Sequence, residues 1–356
     1  MKYKFKKFFN KKKVLITGNT GFKGSWLSLW MKHYGAQVLG ISNSIPTKPS
    51  NFLALKLNEK VNFKKIDIRN FNALQKAIRS FQPDFVFHLA AQATVKKSYE
   101  DPKLTWETNT LGTINLLETL KNLKKNVTAI IITSDKVYKN IEITRGYSEE
   151  DVVGGFDPYS ASKSSADIAI QSYYYSYFKD NKYLKICIAR AGNVIGGGDW
   201  SDNRIIPDCI KKWCLDKSVK IRNPKSTRPW QHVLDVIFGY IVLAAKLKNT
   251  KSLNGEIFNF SPKTQNKRTV ISLVKEIKKN GGNARWKIYS KKNFKESNLL
   301  QLNSKKSKKK LGWTCKLNFK NSIKFTVDWY KTYYFNKKKI YKLSIDQIEK
   351  YENLIN

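Results

Sequence analysis

Two short stretches hold side chains with the right types and spacing for acid–base chemistry. In Tyr159-x-x-x-Lys163 the phenol and the ammonium stand i, i+4, so a helix projects both from one face. An ammonium near a phenol stabilises the phenolate and lowers its pKa from about 10. That makes tyrosine a usable general base near neutrality. The second stretch is Thr133-Ser134-Asp135-Lys136, four polar residues at the end of the apolar run Ala129–Thr133. Read as a strand, that run delivers them to its carboxyl end, where open α/β sheets bind ligands. A Tyr/Lys pair is common in a chain this rich in both residues. Its position just after the 133–136 strand end is what gives it meaning.

These groups need a frame and a reagent, and the segment Lys11–Ile41 supplies both. Val14-Leu15-Ile16 reads as a buried strand, Gly18-Asn19-Thr20-Gly21-Phe22-Lys23-Gly24 as a turn, Trp26–Met31 as a helix ended by Gly35, and Val38–Ile41 as a second strand. This is the form of a dinucleotide-binding βαβ unit. Gly18 permits the tight turn, Gly21 lets backbone N–H groups approach a pyrophosphate, and Gly24 lets helix and strand pack closely. After Ile41 the chain has Ser42-Asn43-Ser44 where an acid often meets the adenosine ribose. The choice between NAD and NADP is therefore weakly determined by the residues alone.

Strands and helices then alternate: strand 61–65 ending near Asp67-Ile68, helix 71–81, strand 85–89, helix 104–123, strand 129–133, helix 159–177, strand 186–189. That alternation predicts an α/β fold, a Rossmann-type doubly wound parallel sheet. After His88 the small residues Ala90 and Ala91 let the backbone lie against a flat ligand. The glycines of 196–198 mark a change to a smaller α/β region. Helices at 204–215, 235–247, 318–335 and 344–354 and strands at 219–221 and 257–260 complete the reading. The domain division expected is 1–190 for the cofactor, with a returning stretch near 233–262, and 191–232 plus 263–356 for the substrate.

The chain has 356 residues, 41% of them hydrophobic, and a net charge of +40. The lysines are spread along the sequence and form no nucleic-acid module, so they read as surface bias that would still draw in an anionic substrate. Nucleic acid is not expected as a partner. No apolar run reaches the roughly 20 residues that span a bilayer, and the basic segment 1–13 reads as a short solvated extension, so a cytoplasmic protein is expected. The four cysteines and three histidines show no metal-ligand spacing, and no metal is expected.

The ordered motifs together resemble the extended short-chain dehydrogenase/reductase superfamily, whose members act mainly on nucleotide sugars. The resemblance covers nearly the whole chain. TGNTGFKGSWLSLW, TSDKVY, RAGNVIGGGDW and TRPWQHV narrow it to the CDP-glucose 4,6-dehydratases, which are hydro-lyases. Dehydratases of dTDP- or GDP-sugars usually carry Asp-Glu where this chain has Asp135-Lys136. Relatives commonly show His where it has Asn19. The resemblance implies NAD as cofactor, held by Gly18, Asn19, Gly21, Phe22, Lys23, Gly24, Asp67, Ile68, Leu89, Ala90, Ala91, Asn109, Tyr159 and Lys163. It implies oxidation at C4 with Tyr159 as base, Lys163 lowering its pKa, and Ser134 bonded to the C4 oxygen. Elimination of water across C5 and C6 follows, with Asp135 as acid and Lys136 as base, although the split between these two stays open. Gln92, Asn193, Arg204, Arg228 and His232 are implied as substrate-binding, while Trp200 and Trp230 either shape the pocket or pack the core. A homodimer or homotetramer is implied. The rival readings are another nucleotide-sugar 4,6-dehydratase, a 4-epimerase, which needs no acid/base pair for C5 and C6, and a non-catalytic basic binding protein on the same scaffold.

Overall fold

Strand β1 (Lys13–Thr17) lies near the middle of the main sheet and shows why that sheet is buried on both faces. Val14 and Ile16 point into one apolar cluster and Leu15 into the other, and all three are fully buried. Side chains alternate along a strand, so a continuous apolar run requires helices on both sides. The computed structural model describes residues 2–202, 204–214, 216–221, 223–262, 268–281, 285–288 and 299–355.

The other main-sheet strands are β2 (Gln37–Ser42), β3 (Asn62–Lys65), β4 (Phe85–His88), β5 (Val127–Ile132) and β6 (Leu184–Ala191). Short strands β7 (Val194–Ile195), β8 (Val219–Ile221), β9 (Thr227–Arg228) and β10 (Gln231–His232) follow, then β11 (Ile257–Phe260), β12 (Arg268–Thr269) and β13 (Trp286–Ile288). The main sheet has seven parallel strands in the order β11-β6-β5-β4-β1-β2-β3. The order reverses between β1 and β4, which opens a crevice at their carboxyl ends. The α/β reading and the doubly wound sheet are as expected, and 257–260 does return to pair with β6.

The principal helices are α1 (Lys2–Phe9), α2 (Phe22–His33), α3 (Phe71–Phe81), α4 (Gly112–Lys121), α5 (Pro158–Tyr173), α6 (Ile205–Trp213), α7 (Val233–Asn249), α8 (Val270–Gly281), α9 (Phe319–Phe335) and α10 (Ile340–Asn353). The expected end of α6 at Leu215 lies outside the described residues. The expected helix 104–123 runs without a gap from Pro102 to Lys121 and carries a π-turn at Glu107–Leu111 just before α4.

The N-terminal segment corrects the expectation of a solvated extension. Residues 2–9 form α1, and Phe5, Phe8 and Phe9 stand at i, i+3 and i+4 on its inner face. Phe9 is fully buried, Phe8 meets Phe85, and Phe5 packs edge-on against Phe238 with ring centroids 5.6 Å apart. Lysine charge masked an amphipathic helix.

Helix α7 is apolar nearly all round and lies under the sheet, so its one acid is conspicuous. Asp235 is fully buried. Its Oδ1 accepts from the Lys316 amide at 2.6 Å and from the Tyr351 hydroxyl at 2.8 Å, while Oδ2 has no partner among the described residues. Burial pushes its carboxyl up to about 7, against these hydrogen bonds. A carboxyl with a higher pKa folded than unfolded favours folding only while protonated. That contribution is complete below about pH 4 and is lost as pH rises through about 7. Asp235→Asn does not titrate, so its stability relative to wild type should rise by about 2–3 kcal/mol between pH 5 and pH 8. Urea unfolding at the two pH values measures this, and a pH-independent difference would contradict it.

Candidate active site

The turn after β1 is closely packed. Gly18 has φ +71°, and a Cβ there would stand 2.7 Å from the Ala90 amide nitrogen on the chain leaving β4. A Cβ on Gly24 would stand 2.1 Å from the Gly18 carbonyl oxygen. Both positions therefore demand glycine, one for its backbone and both for space. Gly21 caps α2 without a side-chain hydrogen bond, and the first turn of α2 holds no acid. The free N–H groups and the glycine cradle beside Ala90 fit a pyrophosphate-bearing cofactor.

Several residues expected to touch cofactor or substrate also brace the fold. Asn19 is fully buried and turns toward β2, where Ser42 Oγ donates to its Oδ1 at 2.9 Å. Asn109, inside the π-turn, donates to the Gln92 carbonyl and to Ser162 Oγ, and accepts from the Gln92 amide. It ties the chain leaving β4 to α5. The Gln92 side chain donates to Thr105 Oγ1 and the Thr94 carbonyl and accepts from the Thr94 amide. His232 is fully buried as the N-cap of α7, accepting from the Leu234 amide, and burial holds it neutral with a pKa near 3. Small polar side chains at turns often bond to backbone, as Gln92, Asn109 and His232 do, whereas Asn19 bonds the Ser42 side chain. Ile68 is buried beside Gly112, while Asp67 pairs with Arg69 on the surface. Trp200 packs in a ring cluster with Trp329, Tyr330 and Tyr333. Asn193, on the link from β6 to β7, accepts from the Gln231 amide through its carbonyl, and Arg228 lies on β9 beside β12.

The remaining residues converge at the carboxyl end of β5. Ser134 caps a 3-10 turn over Asp135–Val137, and its Oγ donates to Asp135 Oδ1 at 3.0 Å. Asp157 caps α5, with Pro158 at the first helical position, and this sets Tyr159 in the first turn. Ser134 lies close enough to the Tyr159 hydroxyl to favour its phenolate. Lys163 follows one turn later and is buried, while Lys136 is half-buried. From beyond β7, Arg204 returns to the same place, held by Asp199 at 2.8 Å. Asp199 is in turn anchored through its backbone carbonyl, which accepts from the Tyr330 hydroxyl. Lys23 reaches in from the glycine turn, and its charge is felt by Lys163.

The electrostatics overturn one expectation. Tyr159 is not lowered: burial raises it to about 12, with Ser134 and Arg204 opposing and Asp135 and Asp157 adding. Lys163 is itself pushed down to about 7 by burial and by the Lys23 charge, against Asp167. An ammonium half-neutralised at pH 7 cannot hold its neighbour's pKa down. The cation acting on the phenol is Arg204, 45 residues away in sequence, which no local spacing reveals.

Beneath the site a buried ion pair joins α5 to β6. Arg190 forks onto Asp167 with Nε–Oδ2 at 2.9 Å and Nη2–Oδ1 at 2.7 Å, and donates to the Tyr138 hydroxyl at 2.7 Å. Thr133 Oγ1 donates to the same carboxylate at 3.0 Å. The pair thus fixes the residue preceding Ser134. Sequence reading did not single out Asp167.

A parallel sheet with a glycine turn at its switch point, a serine at a neighbouring strand end and a Tyr/Lys pair on the helix that follows defines the short-chain dehydrogenase/reductase class. Within that class the chain belongs to the GDP-mannose 4,6 dehydratase family, whose model matches residues 15–326. It is 40% identical over 333 residues to CDP-glucose 4,6-dehydratase of Salmonella typhimurium strain LT2, covering 92% of this chain and 93% of that one. Among solved structures it resembles a UDP-glucuronic acid 4-epimerase from Bacillus cereus in complex with UDP-glucuronic acid and NAD. That match has a TM-score of 0.76 and 25% identity and covers 90% of this chain and 99% of that one. The UDP-glucose 4-epimerase of Thermus thermophilus, solved with NAD, matches with the same TM-score, identity and coverage. Among the described residues no helix is long and apolar enough to cross a membrane.

Proposed function

We propose that this protein is an NAD-dependent CDP-glucose 4,6-dehydratase that forms CDP-4-keto-6-deoxyglucose. The observation that carries this reading over a 4-epimerase is the adjacent pair Asp135-Lys136 on the turn that Ser134 caps, next to Tyr159. An epimerase needs the tyrosine and serine but has no use for a further acid and base at C5 and C6. The similarity to a CDP-glucose enzyme along nearly the whole chain supports the same base and sugar.

NAD would sit on the glycine turn with its pyrophosphate at the α2 N-terminus, and when bound it accepts a hydride from C4 and later returns it to C6. The protein's residues handle the protons. Tyr159 takes the proton of the 4-hydroxyl, helped by the two groups that favour its phenolate, Ser134 and Arg204. Lys163, one turn further along α5, would hydrogen-bond the cofactor's ribose. The 4-ketone acidifies C5–H, Lys136 takes that proton, and Asp135 protonates the departing 6-hydroxyl. Asn193 and Arg228 hold the diphosphate, a task suited to a guanidinium.

Incubation with CDP-glucose and NAD should give a 4-keto-6-deoxy sugar nucleotide, read as an alkali-induced ultraviolet band and by mass loss of one water. Turnover of dTDP- or GDP-sugars alone would reject the assigned base. A C4 epimer with no loss of water would reject dehydration.

The same reading places the enzyme in the cytoplasm as a homodimer or homotetramer. Tyr99, Trp106 and Leu111 leave their apolar surface exposed on the stretch 95–111, as does Ile168 on α5, which packs beside it. Sedimentation velocity reads this directly, and a monomer at micromolar concentration would reject it.

A further inference from the structure

We propose that Tyr138 is a positioning residue for the elimination half of the reaction: its hydroxyl, held between Arg190 and Asn259, fixes the tail of the turn that carries Asp135 and Lys136. The inference rests on the dehydratase reading above.

The turn is pinned at both ends to one buried ion pair. At its head Thr133 donates to Asp167. At its tail Arg190, the partner of Asp167, donates to the Tyr138 hydroxyl at 2.7 Å. Ser134 and the 3-10 turn Asp135–Val137 lie between. The tail has further ties. The Val137 carbonyl accepts from Ser164 Oγ on α5 at 2.8 Å and from the Gly154 amide at 2.7 Å. The Tyr138 hydroxyl in turn donates to Asn259 Oδ1 on β11 at 2.9 Å.

Packing alone does not call for that hydroxyl. The Tyr138 ring is buried, stacks on Tyr147 with centroids 5.0 Å apart and has the Arg190 guanidinium 4.7 Å from its centre. Phenylalanine would make the same two ring contacts. A buried hydroxyl costs free energy unless it is hydrogen-bonded, and here a second fully buried polar residue, Asn259, is set to receive it. Each polar group of Asn259 is engaged. Nδ2 donates to the Tyr147 carbonyl at 2.9 Å, the amide donates to Glu149 Oε1 at 2.7 Å, and the carbonyl accepts from Ser307 Oγ at 2.6 Å. The Tyr147 carbonyl can only accept, so the Asn259 side chain cannot be flipped and its oxygen must face Tyr138. The hydroxyl is thus fixed as acceptor from Arg190 and donor to Asn259.

The chemistry divides along the turn. Ser134 follows Thr133 directly and stays with the head. Tyr159 and Lys163 stand on α5 behind their own cap, Asp157. Lys136 is two residues from Tyr138. The groups that act at C5 and C6 therefore depend on the tail, and those that act at C4 do not. Without the hydroxyl the tail keeps its ring contacts but loses the two bonds that set its depth. A misplacement of about 1 Å at a reacting group costs about 100-fold in rate.

Tyr138→Phe tests this. It should keep the single-turnover absorbance rise at 340 nm on CDP-glucose within about threefold and lose steady-state product formation by about 10- to 100-fold. Deuterium at C5 of CDP-glucose should slow product formation by this variant and leave the 340 nm rise unchanged, because proton removal by Lys136 then limits turnover. Tyr147→Phe is the matched control. The Tyr147 hydroxyl accepts from the Ile141 amide and donates to Asn140 Oδ1, beyond Tyr138 in the chain, so both rates should match wild type. Wild-type product formation by Tyr138→Phe would overturn the proposal. So would equal loss of both steps, loss of the folded state, or the same defect in Tyr147→Phe, because each marks general loosening and not positioning. Failure of wild type to turn over any nucleotide sugar would instead overturn the dehydratase reading.

Discussion

Tyr159→Phe should abolish oxidation at C4, lowering kcat by about 10²- to 10⁴-fold, with no single-turnover absorbance rise at 340 nm. Phenylalanine keeps the packing of a side chain only 8% exposed. It removes the phenol oxygen that Ser134 favours as phenolate and that is placed to accept the 4-hydroxyl proton. Losing one hydrogen bond at a buried site costs about 1 kcal/mol in stability, so folding and NAD binding should survive. The defect is then chemical, and its place in the sequence of steps is informative. Because oxidation precedes elimination, no unsaturated sugar should accumulate. A variant that oxidises C4 at the wild-type rate would remove Tyr159 from the mechanism and leave Lys23 or Lys163, both held below the usual lysine range, as the base.

Asp167→Ala should be the most damaging substitution for stability, at about 3–5 kcal/mol, because it strands a buried guanidinium. Arg190 is 1% exposed and Asp167 is fully buried, so water cannot replace the lost carboxylate. Thr133 loses its acceptor as well. Since Thr133 precedes Ser134, activity should fall further than unfolding explains, even below the melting temperature. Replacing both members, Asp167→Leu with Arg190→Leu, should recover part of the stability by removing both charges from the interior. Urea midpoints for the single and double variants decide the matter. A single variant within about 1 kcal/mol of wild type would show that the pair is not buried as described.

Much of the frame was legible because it is written in local pattern. The apolar runs at 14–16, 85–89 and 129–133 can only be inner strands. Gly18 and Gly24 are demanded by a turn that any βαβ cofactor unit must make. Tyr159 and Lys163 share a helix face by spacing alone. Phe5, Phe8 and Phe9 carried a helical signal too, but lysines at 2, 4, 6 and 7 obscured it. The braces were not legible. Asn19, Gln92, Asn109 and His232 have the chemistry of ligand-binding residues, and only their surroundings show that each also hydrogen-bonds within the fold.

Residue type and order by themselves determined the sheet class, the cofactor cradle and the acid–base inventory at the end of β5, because these depend on periodicity and short spacing. Tertiary structure alone decided which charges act on Tyr159. Arg204 meets it from 45 residues away, and burial raises the phenol while burial and Lys23 weaken Lys163 as a cation. Desolvation and charge proximity are properties of packing, and no spacing along the chain encodes them.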